Sequence, residues 1–468
     1  MEIQATKALH RRGIDPILRA YGFGALSFLG PRLLGLIFAK VRQRKGRNKS
    51  RANGKTEEKK HTGADILRIL RQTLDIHRFP AFCGFTVTAR LILQPLFEKL
   101  LSADARINPG GNPAATALVS RHGLASFSAG ALAAAGGLQL LNARQTGDAG
   151  RTLDLTLFAL TRAVDIVVGE LWERRKDRRV RAGKFNKLDS SIGYVADSLV
   201  FAVSTAVIMF AWFYYPEKLP AAYNKQIVNI AKADHRLVET LRQIRNGDFI
   251  YGVTTDVPPV LPSYCTDLGL PPAWGDPAQT IPIPCEVVHG GQTKSCELFA
   301  LRRFWIATWK TAFPLYLGLN MVKFLRPRRP AASALLRALF EAVRSSAFLG
   351  SFVGIFWYAI CLTRTRIGPR LLKTLDPLAF ENLCVKVGCL LCGWSILVET
   401  PHRRTEIAFF VAPRALAVLL PRTYNPRHQW IENTVFALSS GVILTVLRHK
   451  PQRIRGVFGK LLRKIVTE

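Results

Sequence analysis

Acidic residues are scarce in this chain. Asp and Glu together number 32 against 66 Lys and Arg, leaving a formal net charge of +34 over 468 residues. A soluble chain so basic points toward nucleic acid, but no aromatic-and-basic recognition module is present, and nucleic acid is not expected as a partner. The signatures of common catalysts are missing too: no glycine-rich phosphate loop, no HExxH, no G-x-S-x-G, and no paired acids on a polar face. His77, His122, His235 and His402 are isolated, in or beside basic loops. Catalysis has no residues to rest on, so neither an enzyme nor a bound cofactor is expected. The first residues, MEIQATKALHRRGIDPILRAYG, carry an early acid and no clean apolar stretch, and do not read as a signal peptide.

What is abundant is apolar. Hydrophobic residues make up 49% of the chain, and the basic residues are segregated from them. Lys and Arg crowd Lys40–Lys60, Arg174–Lys187, Arg326–Arg329, Arg364–Lys373 and Arg448–Lys464. Basic connections between apolar segments are the pattern of loops flanking membrane spans, where they set orientation and meet anionic headgroups. The expected partners are therefore the lipid bilayer and its anionic lipids, with membrane-protein partners or a second copy of the chain beside them.

The apolar segments of the first part are Ala20–Val41, Phe79–Phe97, Leu124–Leu141, Leu153–Leu171 and Ile192–Tyr215. Between the first two, Arg42–His61 reads as a solvated basic loop. Ser126, Gly130 and Ala134 form a small-residue face suited to close helix packing. Leu153–Leu171 is interrupted by Asp154, Arg162, Asp165 and Glu170, which weakens its reading as a span.

The series then recurs. Pro31, Gly35 and Lys40 return as Pro314, Gly318 and Lys323 at the same spacing. Arg71, Asp75, Arg78, Phe82 and Gly84 return as Arg337, Glu341, Arg344, Phe348 and Gly350. Residues 136–168 resemble 390–422, and aligning Arg162 with Arg414 also sets Asp154 against Glu406; the run from Asp197 to Ser204 matches that from Glu432 to Ser439. Several of the paired residues are charged, so shared hydrophobicity does not account for the match. The expected fold is an all-α polytopic membrane protein of two homologous halves, each with about four to five hydrophobic helices. Residues 1–215 form the first repeat with the basic loop 42–61. Residues 216–303 are a polar connector containing Pro and Cys, and residues 304–468 form the second repeat with a basic tail. Within the connector, Ala221–Ile250 has helical spacing, and the proline-rich stretch Val257–Pro284 rules out long regular elements.

Two groups of residues carry candidate chemistry. The first is the set of charges inside or beside apolar segments: Arg162, Asp165, Arg414, Glu399 and Glu406. Such charges mark a substrate path, a headgroup contact or a proton relay, or else arginines that lock helices together; Arg162 and Asp165 are spaced for an ion pair along one helix face. The second is Cys265, Cys285, His289 and Cys296 in the connector. These are zinc's ligand types in no common zinc spacing, so no metal is assigned, and a disulfide between Cys285 and Cys296 or free thiols stand as alternatives. Cys384, Cys389 and Cys392 lie within an apolar run and read as packing residues.

PCEVVHGGQTKSC from Pro284 and WKTAFPLYL at Trp309–Leu317 resemble the cysteine-rich entry segment of the transmembrane protein 135 family, also called peroxisomal membrane protein 52. AFLGSFVGIF at Ala347–Phe356, the hinge ETPHRRTEIAFFVAPRAL at Glu399–Leu416 and NTVFALSSGVIL at Asn433–Leu444 continue the resemblance in order. That family is distantly similar to the channel subunits of mitochondrial inner-membrane protein import. The resemblance implies a multi-pass protein of the peroxisomal membrane or, second, the mitochondrial membrane, linked to lipid handling and organelle dynamics. It brings no catalytic residues. Two expectations follow. One is lipid or small-solute handling, with Arg162 and Arg414 lining the path; the other is a membrane scaffold whose basic loops hold anionic lipid or partner proteins.

Overall fold

The computed structural model describes residues 14–50, 62–105, 121–144, 149–255, 258–321, 324, 332–371 and 376–466. All regular structure among them is helical, and one isolated antiparallel pairing joins Ala149 to Tyr424. Among the described residues, six helices are long and apolar enough to cross a membrane: Phe79–Leu101, His122–Asn142, Lys187–Tyr214, Ala332–Arg370, Pro377–Val398 and Pro426–His449. This is the build of a multi-pass membrane protein. Leu153–Leu171 is helical but is not among the six, because its four charges break the apolar run. Ala20–Val41 is likewise helical without being one of them.

The chain forms two compact units, residues 1–183 with 423–468, and residues 184–422. The sequence boundaries at 215 and 303 do not coincide with these units.

The first unit contains α1 (Asp15–Ser50), α2 (Thr62–Thr73), α3 (Phe79–Ala105), α4 (Arg121–Asn142) and α5 (Leu153–Arg181). It is completed by two helices from the far end of the chain, α16 (Gln429–His449) and α17 (Gly456–Val466). Helix α1 packs on α3, α3 on α4, and α16 on both α4 and α5. The small face of α4 makes this fit possible: Ser126, Gly130 and Ala134 are buried, and a Cβ on Gly130 would stand 3.2 Å from Leu444 Cβ. Phe82, Leu138, Ala163, Phe436 and Leu447 form the core. Helix α1 continues through Ser50, so residues 42–50 of the expected loop are helical, and 51–61 lie outside the described residues.

The second unit opens with α6 (Lys187–Tyr214), started by a capping box in which Asn186 and Asp189 exchange side-chain-to-backbone hydrogen bonds of 3.1 Å each. The single helix expected over 221–250 is two, α7 (Ala221–Ala231) and α8 (His235–Asn246). The break follows from Lys232, which closes α7 at φ 49°, and from Asp234, which caps α8 by accepting the Arg236 N–H at 2.9 Å. Two short helices follow, α9 (Leu261–Asp267) and α10 (Cys285–Val288). Then α11 (Cys296–Trp305) runs through a wider π stretch, Ile306–Ala312, into α12 (Phe313–Met321). The long α13 (Ala332–Leu362) precedes α14 (Pro377–Cys392), a 3₁₀ stretch Gly393–Val398, and α15 (Pro401–Leu419). Helix α12 packs on α13, α13 on α14, and α6 on both α14 and α15. The connector is part of this core: Leu237, Ile244, Leu261 and Ile283 are buried with Trp212, Phe213, Phe356 and Trp357. Cys384, Cys389 and Cys392 are buried packing residues of the same cluster.

The two units make similar contacts, of which the glycine and ring contacts fall at aligned sequence positions. In the first, a Cβ on Gly84 would meet Tyr21 at 3.4 Å; in the second, one on Gly350 would meet the Phe304 carbonyl oxygen at 2.8 Å. The Phe82 ring lies 6.0 Å from Phe436, and the Phe348 ring 5.8 Å from Phe201. Arg144 pairs with Asp75 at 3.3 Å, and Arg403 with Glu341 at 3.2 Å. Thr152 donates to Glu432 at 2.6 Å, and Thr405 to Asp197 at 2.5 Å. In these contacts α6 meets residues 348 and 405, and α16 meets residues 82 and 152.

Candidate functional site

Helix α15 starts at Pro401 and carries Pro413 inside it, immediately before Arg414. Arg414 is half-buried, its guanidinium 3.8 Å from the Phe410 ring centroid and 5.8 Å from that of Tyr223. Both rings line an apolar cavity of about 310 Å³, together with Phe201, Met209, Phe348 and Phe352. Its polar groups are few, chiefly Thr205, Gln226 and the hydroxyls of Tyr223 and Tyr316. Burial pushes the Tyr223 phenol above its ordinary range, with Arg414 acting in the opposite sense, so at neutral pH it is a hydrogen-bond donor. Apolar walls with one fixed cation at the edge suit an amphiphile, its tail among the rings and its anion against the guanidinium.

Arg162, its counterpart in the repeat, lies in the first unit in a different setting. It is 4% exposed, between the rings of Phe158 at 5.4 Å and Phe458 at 5.5 Å. Asp165 is held by Arg455 of the segment entering α17, which donates to both of its carboxylate oxygens. Asp165 thus joins an ion pair across helices, and Arg162 lies within an aromatic sandwich.

The hinge between α14 and α15 is built by its arginines. The 3₁₀ stretch before it leaves carbonyls without helical partners. Arg404 donates to the carbonyls of Leu397 at 2.7 Å and Glu399 at 2.8 Å, and Arg344 to that of Val398 at 2.7 Å. Glu399 is 1% exposed, with Arg403 at 3.9 Å and the Thr400 N–H at 3.4 Å from its carboxylate. Glu406 is half-buried on α15, about two turns before Arg414. These geometries assign Glu399 and the hinge arginines to holding the chain break.

A buried ion pair escaped sequence reasoning. Arg364, just beyond α13, binds Glu381 of α14, each side chain about 5% exposed or less, and Tyr251 donates to the same carboxylate at 3.1 Å. In sequence, Arg364 belongs to a basic loop and Glu381 stands near a helix start, so nothing joined them.

The connector cysteines are partly rearranged relative to expectation. Cys265 is buried in the apolar core from α9 and is not with the others. Its place is taken by Cys361 of α13: the ligand atoms of Cys285, His289, Cys296 and Cys361 all lie within 4.8 Å of one another. Sequence reasoning missed Cys361 because it sits in the apolar run of a span. Cys285 and Cys296 stand as free thiols. The Cys285 thiol is drawn down to about 7, first by a hydrogen bond from Cys361 and further by the charge of Arg364, against the opposing effect of burial. His289 is fully buried, stacked on Phe299 at 4.3 Å, and burial lowers its imidazole toward the neutral form.

No protein-family model, curated protein or solved structure matches the chain.

Proposed function

We propose that this chain is a multi-pass protein of an organelle membrane, peroxisomal or mitochondrial, that handles a lipid-derived or small anionic solute through a duplicated helical bundle. The observation that carries the reading is the apolar cavity of the second unit, with Arg414 packed against two of its lining rings. A monocarboxylate with an alkyl tail matches both features. The duplication is supported by the two pairs of contacts at aligned positions, those of Gly84 and Gly350 and those of Phe82 and Phe348. Its two copies, in this reading, exchange their last helices: α6 serves with the second repeat and α16 with the first. The organelle is the one that the resemblance to the transmembrane protein 135 family implies, and the reading includes no catalytic step.

Reconstitution tests this directly. Proteoliposomes carrying the full chain should take up a fluorescent long-chain carboxylate, and Arg414→Gln should abolish uptake while eluting as wild type on size exclusion. Uptake undiminished in that variant would overturn the reading. Imaging of the tagged chain with alkaline extraction of membranes tests the location; release into the alkaline supernatant would contradict a membrane protein.

A scaffold acting through anionic lipid is the second reading. It is favoured by the end of α5, where Arg175, Lys176, Arg178 and Arg181 are exposed together. Neutralising those four should alter vesicle binding or organelle shape and leave carboxylate uptake unchanged.

A further inference from the structure

We infer that Cys285, His289, Cys296 and Cys361 form a closed structural zinc site that fastens the connector to the end of α13. Three thiols and one imidazole are a standard zinc donor set, and a tetrahedral ion with Zn–S of about 2.3 Å needs ligand atoms roughly 3.3–3.8 Å apart. The four donor atoms are all within 4.8 Å of one another, and His289 Nε2 is already 3.3 Å from Cys361 Sγ. A small inward closure completes the sphere.

The imidazole is prepared for the role. His289 Nδ1 stands 2.8 Å from the Thr293 carbonyl oxygen, which can only accept, so Nδ1 carries the proton and Nε2 presents its lone pair to the thiols. Orientation of a ligand histidine through its other nitrogen is the usual outer-sphere arrangement of metal sites. The ring is further fixed by its stacking on Phe299, and no part of it reaches solvent. A disulfide between Cys285 and Cys296 would use only two of the four groups and leave a buried imidazole against a lone thiol. One ion satisfies all four.

Two of the ligands begin short helices, Cys285 at the first position of α10 and Cys296 at that of α11. Cys361 lies in the last turn of the long α13, so the ion closes a loop of chain between the connector and a candidate span. Four protein ligands leave no open position for substrate, which makes the site structural and distinct from the cavity beside Arg414.

Metal analysis of the full chain, purified in detergent through a tag without histidine, tests the inference. Mass spectrometry should find about one zinc ion per chain. Cys285→Ser and Cys296→Ser should lose nearly all of it, and Cys265→Ser and Cys389→Ser should keep it. Protein loaded with Co²⁺ in place of zinc should show thiolate-to-cobalt charge transfer and tetrahedral d–d bands, both lost in Cys361→Ser. Should a ligand variant fail to fold, the metal content and cobalt spectrum of the wild-type chain decide. A metal-free wild-type chain after zinc-supplemented expression, zinc retained in the ligand variants, or a mapped Cys285–Cys296 disulfide would overturn the site.

Discussion

Arg414 stands at an apolar cavity in the unit of residues 184–422, whereas Arg162 is enclosed by Phe158 and Phe458 in the unit of residues 1–183 and 423–468. The helix that carries Arg414, α15, packs on α6, and the one that carries Arg162, α5, packs on α16. Helix arrangement therefore does not set the fate of the arginine; its neighbours do. In the first unit Phe458 from α17 closes over the guanidinium. In the second, Tyr223 of α7, 5.8 Å from the guanidinium, is itself a wall of the cavity. The first unit has hollows too, one of about 330 Å³ lined by Leu138, Asn142 and Trp430, and one of about 270 Å³ lined by Arg32, Arg78 and Arg151 among apolar residues, a surface for anions.

The sharpest contrast concerns ion pairs. Glu381 and Arg364 are both almost fully enclosed, while Asp165 meets an Arg455 whose side chain is 45% exposed. Glu381→Gln leaves a buried guanidinium without its counter-charge and should destabilise the chain by about 3–5 kcal/mol. Asp165→Asn should cost about 1 kcal/mol or less, since water screens its partner. Thermal unfolding of the full chain in one detergent reads both, and equal losses would break the comparison.

The next contrast is steric. A methyl group on Gly350 would lie 2.8 Å from the Phe304 carbonyl oxygen, a backbone atom, whereas one on Gly84 would make an ordinary contact with Tyr21 at 3.4 Å. Gly350→Ala should cost about 1–3 kcal/mol and Gly84→Ala almost nothing, on the same unfolding assay. A large loss in both would mean that the two close approaches are equally tight.

Ligand binding separates the arginines. Arg414→Gln should weaken binding of a long-chain carboxylate by about tenfold, equivalent to about 1.4 kcal/mol. Arg162→Gln should lower the unfolding temperature and leave the affinity near wild type. Titration with a fluorescent fatty acid distinguishes these outcomes, and a matched loss in both variants would erase the functional difference between the units.

The smallest effect is one of pH. Glu170 meets Lys450 at 2.9 Å and Arg174 at 3.3 Å, and its carboxyl is held below the ordinary range, first by the hydrogen bond from Lys450. A depressed carboxyl contributes stability above its unfolded value, near about 4.3, and loses it as pH falls through the folded value. The wild-type chain should lose slightly more stability than Glu170→Gln between about pH 6 and about pH 3. The second repeat has Arg422 at the aligned position, so it has no matching carboxylate to titrate.

The apolar spans were legible because a helix that crosses a bilayer needs a long run free of charge, and Phe79–Phe97, Leu124–Leu141 and Ile192–Tyr215 each announce one. The recurrence of Asp75 as Glu341, and of Phe82 as Phe348, was legible for the same reason: the positions are read one residue at a time. What remained hidden depends on chain segments meeting from far apart. Nothing local in Asp197 or Glu432 says that its hydroxyl partner lies in the other repeat. Cys361 reads as one more apolar residue of a span, whereas Cys265 lies nearer in sequence to Cys285 and drew the assignment. Arg404 reads as a hinge charge until the carbonyls of Leu397 and Glu399 are seen waiting for it.

The central claim, that the second unit holds the solute beside Arg414, is tested most directly by photolabelling. A diazirine-bearing long-chain carboxylate, irradiated with the full chain in detergent and mapped by peptide mass spectrometry, should label 201–231, 348–357 and 407–414. An excess of unlabelled carboxylate should suppress that labelling, and Arg414→Gln should reduce it. Label confined to α3, α4 and α16, or unaffected by competitor, would contradict the account.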